Sequence, residues 1–85
     1  MLSEIDQYAI DRVKEKRLKR GMSQADLAYA AGFTPAFIGI VESPINDKKY
    51  NLRQLNIFAR VFNCSPKDFL PNIAFPPDEK EKAKM

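Results

Sequence analysis

SQADLAYAAGFTPAFIGIVE, residues 23–42, is the stretch whose reading decides the fold. Ser23 is a good N-cap and Asp26 stands three positions on, the spacing at which a capping box closes. Leu27, Ala28 and Ala31 then recur at helical intervals and give one apolar face. Gly32 sits where a helix ends in a positive-φ residue. Thr34 is placed to cap a second helix, and Pro35 takes its first position, where a missing N–H costs nothing. Phe37, Ile38 and Val41 continue the helical period. Two short helices joined through a Gly-containing turn have the outline of a helix-turn-helix.

The same capping logic extends outward. Ser3-Glu4-Ile5-Asp6 predicts the start of a first helix running to about Arg20, with Ile5, Ala9, Ile10, Val13 and Arg17 near one face and Gly21 as its end. Its second half, RVKEKRLKR, is rich in cations, which suit a helix C-terminus and also form a basic flank. A loop spans Ser43 to Asn51 and carries Asp47-Lys48-Lys49-Tyr50. Asn51 and Gln54 predict a further capping box, opening a helix with the stripe Leu52, Leu55, Phe58, Ala59 and Phe62. Ser65-Pro66 opens a short fifth helix through Phe69-Leu70, stopped by Pro71. Residues 72–85 are expected as an extended, partly disordered tail in which only Ile73 and Phe75 are built to dock, and DEKEKAKM as a frayed charged end. The expected fold class is therefore all-α, a compact five-helix bundle over residues 1–71.

Composition narrows the function classes. Eighty-five residues make one domain with a small core. The net charge of +3 favours polyanionic partners. There is no histidine and a single cysteine, Cys64, so a disulfide, a zinc site and a His-based catalytic set are not expected. No Gly-rich phosphate loop is present, so no enzyme, cofactor or small-molecule ligand is expected. No long apolar run occurs and the opening MLSEIDQYAIDR is too polar for a secretory signal, which makes the cytoplasm the expected compartment, with no membrane contact.

RVKEKRLKRGMSQADLAYAAGFTPAFIGIVE resembles the DNA-binding domain of the lambdoid phage repressor and Cro proteins, the XRE family. The matching marks are Arg17, Gly21, Ser23-Gln24, Leu27-Ala28, Gly32, Ile38 and Glu42, then Leu52, Leu55, Ala59 and the Ser65 to Leu70 ending, so the likeness covers roughly residues 10 to 70. It implies a five-helix lambda repressor-like domain that regulates transcription on double-stranded DNA, as a possible homodimer with Ile73 and Phe75 as candidate contacts. It places the third helix in the major groove and Gln24 against a phosphate. It also implies a structural ion pair between Arg17 and Glu42.

The outward positions of that third helix depart from the family pattern. They are Pro35, Ala36, Gly39 and Ile40, and none carries a hydrogen-bonding side chain. Arg or Lys to guanine and Asn or Gln to adenine, the usual pairings with base edges, are missing. Ala36 and Ile40 offer only apolar contact with thymine methyls. The candidate DNA-binding set is thus Gln24, Thr34, Pro35, Ala36, Phe37, Gly39, Ile40, Lys48 and Lys49, with Arg12, Lys16 and Lys19 as added cations. Gly39, costly in mid-helix, fits a close approach of a DNA or partner backbone. An alternative is that the apolar surface of this helix docks protein, as in an antitoxin-like or adaptor module.

Overall fold

The computed structural model describes residues 2–45 and 47–77. Four α-helices follow in order: α1 (Glu4–Lys19), α2 (Gln24–Ala31), α3 (Pro35–Glu42) and α4 (Leu52–Phe62). A 3-10 turn, Pro66–Phe69, completes the set, and no strand occurs among the described residues. The expected frayed end, residues 78–85, lies outside the described residues.

Caps set most of the boundaries. Ser23 and Asp26 close a full capping box on α2, with Asp26 N–H donating to Ser23 Oγ (3.0 Å) and Ser23 N–H to Asp26 Oδ2 (2.9 Å). The Ser23 N–H first, and its side chain second, favour the ionised form and hold the Asp26 carboxyl below its ordinary value. Asn51 and Gln54 do the same for α4, each bond 2.8 Å. At α1 the expected box is only half made. Asp6 N–H donates to Ser3 Oγ (3.3 Å), but the Asp6 carboxylate accepts from the Ser3 hydroxyl (2.8 Å) and from Lys49 Nζ (3.3 Å). Gly32, at φ 80°, ends α2, and Phe33 N–H returns to Ala28 O at 2.8 Å.

The expected fifth helix is instead the four-residue 3-10 turn. Asp68 N–H donates to Ser65 O and Leu70 N–H to Lys67 O, both i to i−3 bonds. Between the Asn63-Cys64 bend and Pro71 there is too little chain for i to i−4 bonding to take over. Its purpose in the core survives the correction: Phe69 is fully buried.

One core joins all the elements. Ala9, Ile10 and Val13 from α1 meet Leu27 and Ala28 from α2, Ile38 and Val41 from α3, and Leu55, Phe58, Ala59 and Phe62 from α4. Two residues expected in the apolar stripes are outside it. Ile5 is 43% exposed and Leu52 is 72% exposed. Each stands in the first turn of its helix, past the end of the layer it would pack on.

An aromatic chain then fixes the turn of the helix-turn-helix. Phe33 packs edge-on to Phe37 (5.4 Å between centroids) and to Phe58 (5.6 Å). Tyr50 packs on Phe37 (5.9 Å) and Phe58 (4.7 Å). Such edge-to-face pairs carry directional preference beyond area burial. They tie the start of α3 to α4 and to the end of the 43–51 loop.

Candidate nucleic-acid interface

The far end of α3 is held by a buried polar cluster. Arg17 Nε donates to Glu42 Oε2 at 3.0 Å, and Arg17 Nη2 donates to Glu42 Oε1 at 2.7 Å. The third arm, Arg17 Nη1, donates to Met22 O at 2.7 Å, so the guanidinium also pins the α1–α2 connection. The two side chains are 7% and 2% exposed. This bidentate geometry is the strong form of the contact, and burial makes removal of one member costly.

Gln24 joins this cluster. Its Nε2 donates to Glu42 Oε1 at 3.1 Å. A carboxylate only accepts, so the amide must present its nitrogen there and turn Oε1 elsewhere. That oxygen lies 3.2 Å from where a Cβ on Gly39 would stand. The occupant of the space above Gly39 is therefore the Gln24 side chain, where the sequence pointed to an approaching backbone.

The other expected interface residues divide into used and outward-facing groups. Thr34 Oγ1 accepts from Phe37 N–H at 3.2 Å, which consumes it as the α3 cap while leaving the hydroxyl hydrogen. Phe37 is half-buried in the aromatic chain, so it belongs to the frame of α3 more than to its surface. Ala36 and Ile40 project to solvent, and Pro35 is half-exposed. Ile45, in the loop just past α3, is 95% exposed.

The cations are less available than the sequence implied. Lys49 Nζ lies 3.3 Å from Asp6 Oδ2 and ties the loop to the start of α1. Lys48 is exposed in the same loop. On α1, Arg12 pairs with Glu15 (2.9 Å), Lys19 with Glu15 (3.8 Å) and Lys16 with Asp68 (3.7 Å). Arg12 also lies over the Tyr8 ring, 5.1 Å from its centroid, and Phe75 packs on that ring from the chain's C-terminal segment. This basic flank faces the 3-10 turn and Phe75, on a different side of α1 from the Arg17 that meets α3.

Sequence reasoning passed over Arg53. It is exposed, stands in the first turn of α4, and pairs with no carboxylate among the described residues. A shallow cavity of about 300 Å³ lined by Gly32, Phe33, Thr34, Phe37 and Gln54 lies between the first turns of α3 and α4. The two helix starts are thereby neighbours, and Arg53 immediately precedes the lining residue Gln54. The signal in the sequence is a cation two places after the Asn51 cap, next to the Leu52 that heads the apolar stripe.

A four-helix frame with a helix-turn-helix at α2–α3, an Arg–Glu lock at its end and an outward α3 face is the architecture of a helix-turn-helix domain. The profile of the Cro/C1-type HTH DNA-binding domain matches residues 12–74, and the chain belongs to that family. Searches of curated proteins and of solved structures return no match. Among the described residues no helix is long and apolar enough to cross a membrane.

Proposed function

We propose that this chain is a transcriptional regulator that lays α3 in the major groove of duplex DNA and holds the flanking backbone with its loop and the start of α4. The observation that carries the reading is the way α3 is held. Its first turn is fixed by the Phe33–Phe37–Tyr50–Phe58 chain and its last by Arg17 and Glu42, while Ala36 and Ile40 stay in solvent. A helix buried on one side, rigid at both ends and bare on the other is a reading head. Membership of a DNA-binding family supports the partner.

The affinity in this reading comes mainly from phosphates. Lys48 and Arg53 supply charge beside the groove, Lys49 follows once released from Asp6, and the remaining Gln24 amide hydrogen and the Thr34 hydroxyl hydrogen donate to phosphate oxygens. Residues 1–71 are the binding unit, acting in the cytoplasm without a cofactor. The operator is a palindrome bound by a homodimer with half-sites about 34 Å apart. Ile73, 79% exposed, is the candidate dimer contact; Phe75 is already engaged on Tyr8. Fluorescence anisotropy with genomic fragments checks the reading: binding at about 50 mM salt that weakens steeply by about 200 mM is expected. Absence of binding at the lower salt overturns it.

A second reading rests on the same exposed, apolar face: Ala36 and Ile40 bind a protein, as in an antitoxin-like or adaptor module. Pull-down with wild type and Ile40→Lys separates the two. Loss of a captured partner with unchanged DNA affinity favours the protein, whereas tighter DNA binding by the lysine variant places α3 against DNA.

A further inference from the structure

We propose that Ile40, with Ala36, makes this interface select thymine through its 5-methyl group, so that specificity comes from apolar contact and not from hydrogen bonds to base edges; the inference rests on the DNA-binding reading above. Three observations combine. The projecting side chains of the outward α3 face are Ala36 and Ile40, the latter 39% exposed. The polar side chains next to them are oriented by the fold, Thr34 as the cap of α3 and Gln24 Nε2 to Glu42, and the hydrogens they keep are those the reading above assigns to phosphate oxygens. The gap that Gly39 leaves between them is covered by Gln24 Oε1.

Among the groups that base pairs show in the major groove, the thymine methyl is the apolar one. Guanine N7 and O6 and the cytosine amino group are polar. An isoleucine pressed on them removes their water and gives no hydrogen bond in return. The same side chain on a thymine methyl loses nothing and buries apolar surface on both partners. Discrimination therefore arises from both sides: a small gain at thymine and a desolvation cost at a G·C pair. Gln24 shapes the face without reading it, since its carboxamide is oriented by Glu42, which Arg17 holds in turn.

The test uses the full chain. A duplex is selected from a random pool, and its affinity is measured with each thymine replaced in turn by deoxyuridine, which removes only the methyl. We expect at least one position per half-site where the replacement weakens binding about four-fold, the equivalent of roughly 0.8 kcal/mol for one buried methyl-sized group. Ile40→Ala should bring that thymine-to-deoxyuridine ratio toward one while the circular dichroism spectrum is retained. If the protein binds its duplex and no replacement shifts affinity by more than about 1.5-fold, well short of a buried methyl, the thymine inference is overturned and DNA binding stands. If no duplex is bound at about 50 mM salt, where phosphate contacts are strongest, the reading beneath it is overturned as well.

Discussion

Glu42 carries a large single-residue consequence. It accepts two bonds from Arg17 and one from Gln24 in a site where its side chain is 2% exposed. Glu42→Ala leaves a buried guanidinium unpaired, and urea denaturation should show a loss of about 3–5 kcal/mol. A loss under about 1 kcal/mol, the value of an exposed pair, would contradict the buried geometry. Tyr50 offers the opposite case. Its hydroxyl is buried with no hydrogen-bond partner among the described residues. Burial raises the phenol pKa, the nearby Glu42 carboxylate raises it further, and Arg17 partly opposes both. The folded chain therefore keeps this proton where the unfolded chain loses it, from about pH 10 upward. The unfolded state then binds fewer protons, so stability is full below that pH and falls as pH rises above it. Tyr50→Phe removes this part of the alkaline loss and, at neutral pH, should raise stability by about 1 kcal/mol, since a buried unpaired hydroxyl is costly. Urea midpoints of both proteins at pH 7 and pH 11 measure the two effects.

For α3, the clearest question is its mid-helix glycine. Gly39 is an ordinary helical residue with no positive φ, so its backbone does not need glycine. A methyl group there meets the far end of the flexible Gln24 side chain at 3.2 Å, not backbone. Gly39→Ala should thus gain helix propensity of about 1 kcal/mol, less a small amount for displacing Gln24. A rise in Tm is expected, with altered Gln24 amide resonances by NMR; a fall in Tm would mean Gln24 has nowhere to move. The contrast within the same motif is Gly32, whose φ of 80° does require glycine. Gly32→Ala should cost about 1–2 kcal/mol in the same assay. The backbone angle agrees with their places in the sequence: Gly32 ends α2 in the left-handed region, whereas Gly39 lies inside α3.

At the scale of the whole molecule, charge placement decides how it meets DNA. Of the cations the sequence offers, those on α1 are largely engaged with carboxylates of their own surface: Arg12, Lys16 and Lys19 with Glu15 and Asp68. Lys48 and Arg53 are exposed, and the proposed reading sets both beside the DNA backbone. Arg53→Ala should weaken binding to all duplexes alike and reduce the salt slope by about one, the mark of one lost phosphate contact. Lys16→Ala should leave the slope unchanged. Anisotropy titrations at several salt concentrations compare the two.

Much of the fold was legible in the sequence because its signals are local. A cap and its partner stand three residues apart, so Ser23 with Asp26 and Asn51 with Gln54 declare their helices without any tertiary contact. Gly32 and Thr34 mark the turn for the same reason. The helix-turn-helix outline follows from these marks and the apolar spacing between them, and the family rests on the resemblance and the profile match over residues 12–74. What they leave undecided depends on neighbours far along the chain. The Asp6 carboxylate, suited by spacing to a capping box, goes partly to Lys49, 43 residues away. Phe37, counted among the candidate DNA contacts, becomes frame because Tyr50 and Phe33 come to meet it. Gly39 makes sense only once Gln24, drawn aside by Glu42, lies over it. Hydrogen bonds within one helical turn are written in residue order; competition for a side chain among distant partners is settled only when the chain has folded.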